Sequence, residues 1–218
     1  MTFNINKYLE ISQYVEDFSN YNKKLKAEII VVSKNQLVED IKTALNIGIR
    51  HFAEIKVQEA VKKYTDLKDN HKDIKLHMIG GLQTNKVKKA LEIFDIFPSL
   101  DRDSLAKEFS KHPKYTASKI FFIQVNTGQE KQKSGIQPSL TSKFLQYCVH
   151  DLSLNIVGLM CLPPVDDDPK EHFSMLEDLA LKNNLKQLSI GMSRDYKIAI
   201  KCGATFIRIG SSFFGGRK

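Results

Sequence analysis

The feature that most constrains this chain is a repeated alternation. A short run of β-branched and other apolar residues is followed by a few turn residues, then by a stretch whose apolar positions recur every three or four residues, and the pattern begins again. The apolar runs that read as strands are 28–33, 50–54, 74–79, 94–99, 119–125, 154–160, 186–190 and 205–209. Between them the spacing predicts helices, as at Val38, Ile41 and Leu45, at Val57, Ala60, Val61, Tyr64 and Leu67, and at Phe173, Leu176, Leu179 and Ala180. Gly48 and Gly203 stand where a left-handed residue ends a helix, while Asp101 and Ser193 stand where an N-cap begins one. Strand then helix, repeated, requires parallel strands joined by right-handed crossovers. Eight units over residues 28–212, about 23 residues each, fit a closed (β/α)8 barrel better than an open doubly wound sheet. Tyr8, Ile11, Val15 and Phe18 add one amphipathic stripe over residues 4–24. The expected architecture is therefore α/β, a single (β/α)8 TIM barrel with an extra N-terminal helix. One domain spans 1–218, with the leading helical segment at 1–27 and the barrel at 28–212.

Composition excludes more than it assigns. The 218 residues are 42% hydrophobic, enough for one sizeable core. The net charge of +8 permits attraction to phosphates or nucleic acid, but lysine far outnumbers arginine and is scattered along the chain. The cluster Lys86, Lys88 and Lys89 carries the weaker alternative of a basic nucleic-acid-binding protein. No aromatic residue is interleaved with it and no nucleic-acid-binding signature accompanies it, so no nucleic-acid partner is expected. Cys148, Cys161 and Cys202 are odd in number and far apart, which suits small buried side chains rather than disulfides or a Cys-x-x-Cys metal site. The histidines form no ligand pair at helical spacing with a carboxylate, and no metal site is expected. The start, Met-Thr-Phe-Asn-Ile-Asn-Lys, lacks the order of a signal peptide, and no apolar run approaches the ~20 residues of a membrane helix. A cytoplasmic location with no membrane partner follows as the expectation, and the lysine-rich helix exteriors suggest a monomer.

In such a barrel the reactive edge is formed by the residues that follow the strands. Reading those positions gives Lys34, Glu54, His77 to Gly80, Ser99 to Asp101, Asn126, Met160, Met192 with Ser193, and Arg208 to Ser212. Gly191 with Ser193, and Gly210 with Ser211, combine glycines that let an anion approach the backbone with hydroxyl and N–H donors, which is the chemistry of a phosphate cradle after strands seven and eight. Ser193 alone reads equally well as a plain N-cap. Lys34 ends the first strand, "EIIVVSK" (28–34). Alone it is an ordinary lysine reaching for water. Held in the barrel mouth opposite a phosphate cradle, its amine suits attack on a phosphate-bearing aldehyde. His77, on an otherwise apolar strand, reads by itself as a hydrogen-bonded core histidine.

In order and spacing, "VVSK" (31–34), "HMIGGLQTNK" (77–86), "QVNTGQEKQKSG" (124–135), "GLMCLPP" (158–164), "LSIGMSRD" (188–195) and "IRIGSSFFGGR" (207–217) resemble the pyridoxal phosphate homeostasis proteins over residues 28–217. The resemblance implies a barrel similar to the N-terminal domain of alanine racemase, with pyridoxal 5′-phosphate held as a Schiff base on Lys34. It further implies that Ser193, Gly210 and Ser211 contact the phosphate, and that Arg208 faces the pyridine nitrogen or, alternatively, the phosphate. Met192 and His77 are counted with this coenzyme-binding set. A guanidinium donates to a ring nitrogen without protonating it, which weakens the ring as an electron sink. The function implied is intracellular pyridoxal phosphate homeostasis: a carrier or buffer with no catalytic residue assigned, whose partners would be the coenzyme and apo forms of coenzyme-dependent enzymes. The alternative is an amino-acid racemase or lyase on the same cofactor, for which only His77 and Glu54 could serve as a second acid or base. The chain departs from the family at Ala53-Glu54-Ile55-Lys56, where Gly-Glu-Asn-Tyr is usual, and at Gly81, where proline is common.

Overall fold

The computed structural model describes residues 2–23 and 26–215. The leading helix α1 (Ile5–Asn22) starts where the Asn4 side chain accepts from the Lys7 N–H, and it buries Ile11 and Val15. Lys24, the expected end of this helix, lies outside the described residues, as do Leu25 and the last residues of the "GGR" motif. The chain then alternates β1 (Glu28–Val32), α2 (Val38–Asn46), β2 (His51–Glu54), α3 (Val57–Asn70), β3 (Lys75–Met78), α4 (Val87–Ile93), β4 (Ile96–Leu100), α5 (Asp103–Ser110) and the short α6 (Pro113–Thr116). It continues with β5 (Ile120–Val125), α7 (Thr141–Gln146), β6 (Ile156–Cys161), α8 (Pro169–Lys182), β7 (Gln187–Met192), α9 (Tyr196–Lys201), β8 (Phe206–Ile209) and α10 (Ser211–Phe214). Each strand pairs in parallel with the next, and β1 pairs with β8, so β1 to β8 close a barrel. The predicted fold class is therefore the observed one.

Two shells of apolar side chains explain why the strands read as unbroken apolar runs. Inward-facing Ile30, Val32 and Ala53 form one cluster in the barrel, and Ile96, Phe122 and Met160 form another, with Phe206 packed against both. The alternate residues, Ile29 and Val31 among them, join the large outer core beneath the helices. Phe109 of α5 docks edge-on over Phe97 and Phe121, each at 4.9 Å between ring centroids. Gly48 and Gly203 have φ of 90° and 77° just beyond α2 and α9, as their positions predicted.

Two helix starts differ from expectation. Asp101 is not a cap: α5 begins at Asp103 with Arg102 before it, and the Asp101 carboxylate instead takes a hydrogen bond from Arg102 at 2.6 Å. Ser193 is not a cap either, because β7 runs on to Met192 and α9 begins only at Tyr196. In its place the Asp195 carboxylate takes the Met192 N–H at 2.6 Å and closes the β7–α9 turn.

Candidate functional site

The site is built where β1 meets β8. Val31 lies beside Ile209, and a Cβ on Gly210 would stand 3.2 Å from the Val32 Cβ, so the end of β1 and the loop after β8 run in close contact. Val32 faces the barrel interior, Ser33 is buried with its hydroxyl against Glu54 and Tyr64 on the α3 side, and Lys34, in the turn just beyond β1, is half-buried. Across this edge the two expected phosphate segments meet. Ser193 Oγ accepts a hydrogen bond from the Ser212 N–H at 3.4 Å, tying the loop after β7 to the start of α10. Gly210 precedes that four-residue helix, and Ser211 is exposed at its first position. Gly191 has a φ of 88° with Ala199 against its Cα, so no side chain fits there without strain. Met192 is exposed at the rim.

Behind the rim, Arg208 is buried in the barrel with neutral partners. Its guanidinium donates to the Ser189 carbonyl at 2.5 Å, to Ser189 Oγ at 2.7 Å and to the Cys161 carbonyl at 3.1 Å, so it spans from β8 to the end of β6. Burial lowers its pKa from the ordinary guanidinium value, yet arginine stays charged under any ordinary condition. His77 sits in the interior beside Ala53 in register, not at the mouth. Its Nε2 lies 3.0 Å from His51 Nδ1, and both rings pack on Phe206. Burial, then His51 and Arg208, push its pKa well below the usual imidazole range, so it is neutral at pH 7.

Glu54 is the second residue that strand alternation moves. Ala53 points inward, so Glu54 points outward, fully buried beneath α3 rather than at the mouth. It accepts from Ser33 Oγ at 2.8 Å and from Lys63 Nζ at 3.1 Å, and burial raises its carboxyl pKa despite that lysine. Across the barrel mouth from the β1–β8 edge lies a cavity of about 360 Å³. Its walls include Ile79, Gly81, Asp101, Gln124, Asn126 and Lys133, from the ends of β3, β4 and β5 and the loop after β5. Of these, Gly81, Gln124 and Lys133 were not among the strand-end positions: Gly81 lies one residue beyond them, Gln124 faces inward a residue before its strand ends, and Lys133 folds back from a loop.

The match to known proteins covers the same residues. A family model described as the alanine racemase N-terminal domain matches residues 11–218. The pyridoxal phosphate homeostasis protein of Aquifex aeolicus is 37% identical over 202 residues, spanning 88% of each chain. The chain belongs to the pyridoxal phosphate homeostasis protein family. PipY of Synechococcus elongatus, whose structure has PLP bound, superposes with a TM-score of 0.77 at 30% identity, over 92% of this chain and 99% of that one. Alanine racemase from Corynebacterium glutamicum superposes with a TM-score of 0.72 at 13% identity over 99% of this chain and 62% of the racemase, which establishes a shared fold. Within the family frame, Gly80 has a clear cause: the Ile55 carbonyl and Cα of the preceding loop lie where its Cβ would be. Gly81, by contrast, has open space around it. No helix among the described residues is long and apolar enough to cross a membrane.

Proposed function

We propose that this protein binds pyridoxal 5′-phosphate and serves in its intracellular homeostasis, as a carrier that takes the coenzyme up on Lys34 and releases it intact. The observation that carries this is the contact of Gly210 with Val32, which sets the end of the lysine-bearing strand against the Gly210–Ser211 turn and, through Ser212, against Ser193. The residues present suit the group. Small residues and serine hydroxyls line the edge for a phosphate, and the hydrogen-bond partners of the buried Arg208 cation among the described residues are neutral, so it can face a ring nitrogen. Bound there, the coenzyme would supply an aldehyde able to bond to the Lys34 amine with loss of water.

The protein's own part in this is to hold and orient. Lys34 presents the amine, Ser193, Gly210 and Ser211 bind the phosphate, Arg208 keeps the ring nitrogen unprotonated, and Met192 covers the rim. His77 supports Arg208 from the interior as a neutral neighbour. What favours a carrier over a racemase or lyase is the position of the two candidate acid/base groups: His77 is in the barrel interior and Glu54 lies beneath α3. Incubation of the coenzyme-loaded protein with a panel of L-amino acids, followed by chiral separation, tests this. No conversion is expected, and turnover that disappears in Lys34→Ala would establish the enzyme instead. We further propose that it acts as a cytoplasmic monomer with apo-enzymes as recipients.

A further inference from the structure

Both peptide units that flank Lys34 are held by one helix. The Ser33 carbonyl, part of the unit entering Lys34, accepts from Lys63 Nζ at 2.8 Å. The Asn35 N–H, part of the unit leaving it, donates to Glu59 Oε1 at 2.6 Å, and Asn35 takes a left-handed φ of 60°. Glu59 and Lys63 lie one turn apart on α3 and pair with each other at 2.6 Å, so the two clamps form one unit.

This unit has its own support. The Ser33 hydroxyl lies 2.6 Å from the Tyr64 hydroxyl and donates to Glu54 Oε1, so the order of donation runs Tyr64 to Ser33 to Glu54. Burial holds the Tyr64 phenol well above its ordinary pKa, which keeps its proton in place for that bond. Lys63 completes the ring by reaching Glu54 at 3.1 Å. By spacing alone, Glu59 and Lys63 form the pair of opposite charges common on exposed helix faces, where it is worth little. Here the lysine side chain is only 10% exposed, and both groups are aimed at backbone atoms beside a single residue.

We propose that Glu59 and Lys63 are positioning residues for attachment of the coenzyme at Lys34. They fix the Lys34 backbone on both sides, so that only side-chain torsions remain to be ordered when the amine meets the aldehyde. This rests on Lys34 being the attachment point.

The test compares pyridoxal 5′-phosphate with pyridoxine 5′-phosphate, which has the same ring and phosphate but an alcohol in place of the aldehyde. Thermal unfolding first establishes that each full-length variant folds. In Lys63→Met and Glu59→Ala, covalent capture, followed by the visible absorbance band and by borohydride trapping, slows about tenfold or more, while affinity for pyridoxine 5′-phosphate stays within about twofold. Lys63→Arg, which keeps donors for the Ser33 carbonyl and the carboxylates, recovers most of the rate. A parallel loss of both ligands would reduce the network to general scaffolding and overturn the proposal, as would capture by Lys63→Met at the wild-type rate. If these variants do not fold, Glu59→Gln is judged by the same two ratios. Trapped coenzyme in Lys34→Ala would instead refute the attachment point itself, and so separates failure of that assignment from failure of the clamp.

Discussion

At the scale of single residues, what a group can do depends on which side of a strand it falls. His77 and Glu54 both follow apolar positions in the sequence, and the pleat sends one into the barrel and the other under α3. A histidine whose folded pKa is depressed takes up a proton more readily when unfolded, so stability rises with pH and is lost as pH falls through the unfolded value of about 6.5. The melting temperature is therefore expected to drop between pH 7 and pH 5, and more steeply in the wild type than in His77→Gln. Equal slopes in the two proteins would contradict the buried neutral imidazole. The paired glycines give a second contrast. Gly81→Ala meets open space at an ordinary φ and is expected to stabilise by about 0.4–1 kcal/mol. Gly80→Ala forces a Cβ onto the Ile55 backbone and is expected to cost roughly 1–3 kcal/mol. Chemical denaturation of both variants checks the two signs together.

At the scale of elements, strands were legible and helix starts were not. A parallel strand buried on both faces leaves an uninterrupted apolar run, and each of the expected runs overlaps an observed strand. Ser193 and Asp101 looked like caps because serine and aspartate are good caps, but the strand before each loop extends further and the helix starts later than local preference suggests. The Ser33–Tyr64 bond joins residues 31 apart in sequence, and nothing in either segment announces it. Tyr64 reads only as part of an apolar stripe. Tyr64→Phe should cost roughly 1–3 kcal/mol, because it strips a buried hydrogen bond from the Ser33 hydroxyl. The N-terminal segment reaches the proposed phosphate edge as well: Phe3 and Tyr8 pack on Phe213 of α10, and the Asn4 N–H donates to the Phe213 carbonyl at 2.9 Å. Phe213→Ala is expected to cost about 3–5 kcal/mol in stability. Where it still folds, it should weaken phosphate binding by releasing α10.

At the scale of the whole molecule, barrel closure turns separate motifs into a site. "EIIVVSK" and "IRIGSS" open and close the barrel and are far apart in the chain, yet β1 and β8 are neighbours, so Lys34 and the proposed phosphate turn share an edge. The repeat of strand and helix makes that adjacency readable in the sequence. What stayed hidden was the second layer, the helix α3 that grips the lysine's backbone, because that contact is set by packing between elements rather than by any motif. The most direct measurement of the central claim is the absorbance spectrum of the purified protein after addition of pyridoxal 5′-phosphate, with borohydride reduction and peptide mass mapping. A visible band that is lost on reduction, with the adduct on Lys34, is the predicted result. A protein that stays colourless with added coenzyme, or an adduct on a different lysine, would contradict it.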